Sequence, residues 1–184
     1  MIYEVLKILR REASGYLPGE DLVVLDNIAK TEEANGNQDK VFLTMLNLEE
    51  EPTLKNHPNH TVVNGQKVRK NTPAYLNMYV MFAANRNTYK DSLENINSIV
   101  ELFQNKNCFT PTNTPNHDTG LSEFKFTVDL SSLKFEQLSY VWGVLGGKVM
   151  PSVFYKVSIV KVERKGIKQT TPLITGMSGN LNNK

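Results

Sequence analysis

The stretch FEQLSYVWGVLGGKVMPSVFYKVSIVKVE, from Phe135 to Glu163, limits what this chain can fold into more than any other. Phe135, Leu138, Val141, Trp142 and Leu145 recur at the spacing of one helical face, which predicts a helix over 134–145 with a wide apolar stripe. Ser131 or Ser132 is placed to cap its start. Gly146-Gly147 ends it, because glycine enters the left-handed backbone of a helix C-cap without strain, and Pro151 blocks any continuation. SVFYKVSIVKVE is then a long run rich in β-branched and aromatic residues, the signature of a strand. A helix with an apolar stripe that turns directly into such a strand needs a sheet face to bury against, so the chain is committed to layers of helix on sheet.

The remaining segments fit that plan. Ile2, Val5, Leu6 and Leu9 define an amphipathic helix at the start, with Ser14-Gly15 and Pro18-Gly19 as its stop. LVVLDNIA from Leu22 reads as a short strand. VFLTMLNLEEE from Val41 is apolar on both alternating sides, as in a strand covered on two faces. PAYLNMYVMFAA is a second central strand, with Ala74, Leu76, Met78, Val80 and Phe82 on a core side and Tyr75, Asn77, Tyr79 and Met81 on an amphipathic side. Between these two lies PTLKNHPNHTVVNGQKVRKNT, where Asn64-Gly65 predicts a small projecting hairpin. Thr88 and Asp91 resemble a capping box ahead of a helix over 88–104 with Leu93, Ile96, Val100 and Phe103 in its stripe. EFKFTVDL alternates strictly, with Phe124, Phe126, Val128 and Leu130 inward.

The expected architecture is therefore α/β (α+β): a single domain in which one mixed or antiparallel sheet of about four or five strands is packed by helices, plus a projecting hairpin loop. At 184 residues the chain is long enough to bury a core without metal or disulfide support. Residues 1–165 are read as the domain and the polar residues 166–184 as a flexible tail.

Charge is nearly balanced, with 21 basic and 19 acidic residues, so the overall field is too weak to argue for a nucleic-acid binder on charge alone, and local patches are judged separately. Cys108 is the only cysteine, which rules out an internal disulfide and fits a reducing compartment. No apolar run approaches the roughly 20 residues of a membrane helix, and Glu4 interrupts what would be the apolar core of a secretory signal.

The search for chemistry along the chain returns little. His57 and His60 in HPNH supply two imidazoles without the further ligands a zinc site needs. Glu49, Glu50 and Glu51 are adjacent on a strand, where neighbours point to opposite sides and do not converge. LGGK at Leu145–Lys148 runs from helix into strand, the reverse of a phosphate-binding loop. Cys108 has no His or Asp partner in sequence and reads as a small buried residue. No catalytic residue, metal or cofactor is expected. Lys55, Lys67, Arg69 and Lys70 form one basic cluster on the projecting loop, open to reading as a phosphate contact, a contact with an acidic protein rim, or a solubilising loop.

MIYEVLKILRREASGYL, the strands around VFLTMLNLEEEPTLKN and PAYLNMYVMFAAN, the segment YKDSLENINSIVELFQ and above all FEQLSYVWGVLGGKVMPSVFYKV resemble the cap, or tail-terminator, family of bacterial phage-tail-like contractile injection systems of the antifeeding-prophage type. The resemblance spans about residues 1–163. It implies a non-enzymatic protein that assembles as a hexameric ring, ends polymerisation of the inner tube and contacts the last layer of the sheath. It further implies assembly in the bacterial cytoplasm and residence in the finished particle.

A closed ring needs two different surfaces on each subunit, and apolar or aromatic positions left over from the core would supply them. Tyr75, Tyr79, Met81, Tyr140, Val144 and Met150 are the candidates for the subunit interface, and Lys55, Lys67, Arg69 and Lys70 for contact with tube and sheath. Two other classes stay open. One is a nucleic-acid-binding or other small interaction module using loop 52–72, and the other is an enzyme whose site would be a deep pocket with shifted pKa values.

Overall fold

The computed structural model describes residues 1–30, 39–52, 60–63, 66–69, 74–115, 123–162 and 169–171. In chain order the elements are α1 (Ile2–Tyr16), β1 (Val23–Leu25), a 3-10 turn (Ile28–Lys30), β2 (Lys40–Glu50), β3 (His60–Val63), β4 (Gln66–Arg69), β5 (Ala74–Asn85), α2 (Tyr89–Asn105), β6 (Cys108–Phe109), β7 (Phe126–Leu130), α3 (Phe135–Val144), β8 (Ser152–Val162) and β9 (Gln169–Thr171). Six strands form one mixed sheet in the order β1-β2-β5-β8-β7-β6. It is antiparallel throughout except where β1 runs parallel to β2. The fold class is as expected, with one strand more than the sequence suggested: β6 is two residues long, too short to carry a periodic signal.

The three long strands β2, β5 and β8 set the faces of the sheet. Successive residues of a strand point to opposite sides. Met78, Val80 and Phe82 of β5 therefore share one side with Val41 and Leu43 of β2 and Val153, Tyr155 and Val157 of β8, and all are buried. Helices α1 and α2 cover this side, adding Val5, Leu6, Leu9 and Ala13 from one and Ile99, Leu102 and Phe103 from the other. An aromatic cluster fills its centre. Phe82 lies 5.5 Å from Phe103 and 6.1 Å from Tyr155, centroid to centroid, and Phe109 stacks on Phe126 at 5.1 Å. On the opposite side Phe42, Met81, Ala83 and Phe154 gather with Ile28 under α3, whose Trp142 is buried among them.

Several local expectations hold in detail. The Thr88 hydroxyl accepts from the Asp91 N–H at 3.1 Å and caps α2. β3 and β4 pair from His60↔Arg69 to Val63↔Gln66, the register of the expected hairpin; Asn64-Gly65 itself lies outside the described residues. After α3, Gly146 and Gly147 have φ of 104° and 80°, and the Gly147 N–H donates to the Trp142 carbonyl at 2.7 Å. This reach back over one helical turn closes the C-terminus of α3 as a Schellman-type cap does.

Others are corrected. α1 continues through Ser14-Gly15 to Tyr16, because a lone glycine weakens a helix without ending it when packing continues; Ala13 and Leu17 are both buried. The inward stripe of α2 is turned towards Asn95, Ile99, Leu102 and Phe103, leaving Leu93 exposed. Asn95 tolerates burial because its side-chain oxygen accepts from Arg86 at 3.1 Å. β2 is buried on both sides only from Val41 to Thr44; Met45 and Leu48, on either side of a bulge between Met45 and Asn47, are exposed. α3 starts one residue after Lys134 rather than at a serine cap, and the Gln137 side chain accepts from the Lys134 N–H at 3.0 Å. Cys108 is half-buried rather than enclosed.

Polar clasps join the layers. Asp39, whose φ is 66°, accepts from Arg86 Nε at 2.7 Å and from the Asn87 N–H at 3.0 Å. The backbone bond from Asn87 and the bond from Arg86 hold its carboxyl below the usual aspartate range. Lys106 Nζ reaches Glu12 at 2.7 Å and ties α2 to α1.

Candidate assembly surface

Among the described residues, α3 lies over only part of its side of the sheet. α3 is 10 residues long and lies over Phe42, Met81, Ala83 and Phe154. Further along the same side, the register places Asn47 opposite Tyr79 and Glu49 opposite Asn77 on β2 and β5, and Lys156 of β8 opposite Tyr79. A polar band replaces the apolar one here. Asn47 Nδ2 donates to Glu49 at 3.1 Å and Asn77 Nδ2 to Glu51 at 2.7 Å. Burial, and then the hydrogen-bonded Glu49 carboxylate, raise the Tyr79 phenol pKa. Glu49 and Glu51 lie on this side and Glu50 on the other, as strand alternation requires.

α3 itself is apolar on its outer side as well as its inner one. Leu138, Val141 and Leu145 pack inward with Trp142, while Tyr140 is 75% and Val144 85% exposed. Phe135, expected in the inward stripe, is instead 86% exposed. Helical side chains lean towards the N-terminus, so the first residue's ring projects past the end of the helix instead of onto the sheet. Leu130, at the end of β7, and Val149, after the double glycine, extend the exposed apolar series. Sequence periodicity missed these last three. The one signal for them is the scarcity of charge between Leu130 and Val149, where Lys134, Glu136 and Lys148 are the only charged residues.

The residues read as interface candidates are thus dispersed. Tyr75 and Tyr79 are half-buried on the α3 side of the sheet, to either side of the buried Asn77. Tyr140 and Val144 stand free on the outside of α3, and Met150 packs at the rim of the cluster beneath it. Met81 is fully buried and offers no surface, because α3 closes over it; it belongs to the core. Of the basic cluster, Lys67 and Arg69 lie in β4, whereas Lys55 and Lys70 fall outside the described residues, as does His57. β4 pairs with β9 as well as β3, so Gln169–Thr171 of the presumed tail completes a second, three-stranded sheet.

Two open recesses flank α2. One, of about 720 Å³, is lined by Pro18, Arg86, Asp91, Leu93 and Glu94 among others, and the second, of about 390 Å³, by Arg11, Glu12, Tyr16 and Thr114 among others. Their polar groups are engaged in the scaffold: Arg86 with Asp39, the Ser98 hydroxyl with the Glu94 carbonyl, Glu12 with Lys106. Among the described residues no group of three or more His, Cys, Asp or Glu is arranged to hold a metal, and no helix is long and apolar enough to cross a membrane.

This architecture has solved counterparts. The sheath/tube terminator of PVC, an extracellular contractile injection system, seen by cryo-EM in its extended state, is 12% identical with a TM-score of 0.66, over 100% of this chain and 64% of that one. The tube-terminating cap of the anti-feeding prophage is 10% identical with a TM-score of 0.67, over 98% of this chain and 62% of that one. The chain spans a little under two thirds of the length of either, and at these identities the likeness is one of fold. No curated protein matches. The model of the Pvc16 N-terminal domain matches residues 4–176, nearly the whole chain. This chain belongs to the Pvc16 N-terminal domain family.

Proposed function

We propose that this chain is a structural cap domain of a bacterial contractile injection particle, a tail terminator that ends the inner tube and meets the last sheath layer as a ring of six. The observation that carries the reading is the family match over residues 4–176, joined to a fold shared over the whole chain with two terminators. The ring draws support from the apolar outer side of α3. Phe135, Tyr140, Val144 and Val149 expose large apolar groups that a solitary domain has no use for, and a head-to-tail ring needs such a surface on each subunit. Tyr75 and Tyr79 lie on the same side of the sheet and extend it; Met150 supports it from beneath.

In this reading Lys55, Lys67, Arg69 and Lys70 face acidic groups of tube or sheath, and the protein assembles in the bacterial cytoplasm before joining the particle. Free subunits stay monomeric when the ring contact is weak, and the tube end gathers six of them by presenting adjoining sites at high effective concentration. Deleting the gene and imaging the particles tests the proposal. Tubes of uncontrolled length or sheaths that contract prematurely are expected. Uniform, capped particles from the deletion strain would remove the terminator reading.

A further inference from the structure

A ring built head to tail needs two unlike faces on every subunit, and the outer side of α3 is only one of them. The register of β2 supplies the other. Met45 pairs with Val80 and Leu48 with Met78, so both point to the side of the sheet that carries α1 and α2, opposite α3. Their partners on β5 are buried, yet Met45 is 41% and Leu48 38% exposed. The bulge between Met45 and Asn47 produces this pairing of apolar groups. Strict alternation would send residues three apart to opposite sides, and the extra residue returns Leu48 to the side of Met45. Glu50, opposite Leu76, lies on the same side and is exposed as well.

We infer that the outer side of α3 docks on the Met45 and Leu48 face of a second copy of this chain. The inference rests on the cap reading and deepens it by naming both halves of the ring contact. The two faces lie on opposite sides of one sheet, so a contact between them is not satisfied within a pair and passes from each subunit to the next. The area is of the right order. At roughly 200 Å² per aromatic side chain, the exposed fractions of Phe135 and Tyr140 leave about 300 Å² of ring surface to water. Those two rings alone supply more than a third of the roughly 800 Å² that each partner buries in a standard interface, and Val144 and Val149 add to it. Methionine and leucine are suited to receive aromatic rings, the thioether through its favourable contact with ring edges. Charge agrees: Lys134 and Lys148 are exposed at either end of α3, and Glu50 is exposed two residues from Leu48. A tube or sheath protein would need one of these faces; a second copy needs both.

The test uses the full chain in assembled particles, with Cys108→Ser removing the native thiol and a short flexible bis-maleimide as the probe. On that background Tyr140→Cys and Leu48→Cys are made together in one chain and each alone, and melting temperatures verify that all three fold. The double variant is expected to give a ladder of covalent oligomers ending at six, and each single variant only monomer. Val144→Cys with Met45→Cys is a second pair and should give the same ladder. Incorporated double variants that stay monomeric for both pairs would overturn the inference while the cap reading stands. So would a dimer from Tyr140→Cys alone, which means that α3 meets α3, or its conjugate with another particle protein, which means that α3 faces tube or sheath. Met45→Ser with Leu48→Ser, in the otherwise native chain, is expected to lower incorporation about tenfold, and normal incorporation would again overturn the inference. Absence of the wild-type chain from particles would remove both readings.

Discussion

Phe82 and Met81 are neighbours on β5, both fully buried, yet they sit in different kinds of core. Phe82 points into the large cluster closed by α1 and α2, within aromatic contact of Phe103 and Tyr155. Met81 points into the small cluster under α3, where six buried residues are ringed by partly exposed ones. Two helices close the first side. Among the described residues one short helix lies over the second, and it is apolar on its outer surface too. This difference teaches that the α1/α2 side spends most of its apolar groups on the core, whereas α3 leaves large apolar groups exposed.

Substitutions that sample both sides can break this distinction. Phe82→Ala, on the closed side, is expected to cost about 4 to 5 kcal/mol, since it opens a cavity between two helices and a sheet that cannot collapse to fill it. Equilibrium denaturation gives the value. Trp142→Ala should cost less, about 3 kcal/mol, because α3 is free to settle onto the sheet. The indole Nε1 is buried without an acceptor, so Trp142→Phe should forfeit only part of that. A Trp142→Ala penalty as large as that of Phe82→Ala would erase the contrast between the two sides.

Gly147→Val is expected to cost about 1 to 2 kcal/mol, from forcing a β-branched residue to the φ of 80° that ends α3. Space is not the obstacle, because a Cβ at Gly147 meets nothing within 4 Å. An unchanged melting temperature would mean that the turn relaxes and that the cap does not fix how α3 lies.

Tyr155→Phe should be nearly neutral at pH 7, because the phenol oxygen is buried without a hydrogen-bond partner. Burial pushes this phenol up to about 12. The unfolded chain, with a tyrosine pKa of about 10, releases the proton first as pH rises, so wild type loses stability from about pH 10 towards 12. The Phe variant should lack this part of the alkaline decline, and parallel melting curves for both proteins over that window would show that Tyr155 is not closed off from water. The smallest effect on stability, within about 0.5 kcal/mol, belongs to Tyr140→Ser with Val144→Ser on the outside of α3. That pair should nonetheless lose incorporation into particles; normal incorporation would make the exposed apolar side incidental.

Where a feature depends on neighbours in the chain, the sequence was enough to find it. The Thr88 cap, the β3-β4 pairing, the glycine break after α3 and the alternation of β5 are each decided within a few residues, by backbone sterics and the spacing of apolar side chains. The absence of any motif for catalysis pointed away from enzymatic chemistry, and the distributed resemblance to tail terminators led to the family that the chain proves to join. Exposure was only partly legible. Tyr140 and Val144 are exposed as their reading requires, whereas Phe135 was read as core because its spacing fits the stripe, and Met81 as surface because its strand side looked amphipathic.

Which members of an apolar series are covered depends on where a helix ends over a sheet, and nothing in the series itself encodes that. α3 covers Met81 through Trp142, and the same side of β5 passes from an apolar to a polar band between residues 81 and 79. The pairing of β4 with β9 is of the same kind. Sequence read Gln169–Thr171 as part of a tail, and only the tertiary structure pairs it with Lys67–Arg69, because strand pairing across a long separation is selected by the packing of the whole chain rather than by local preference.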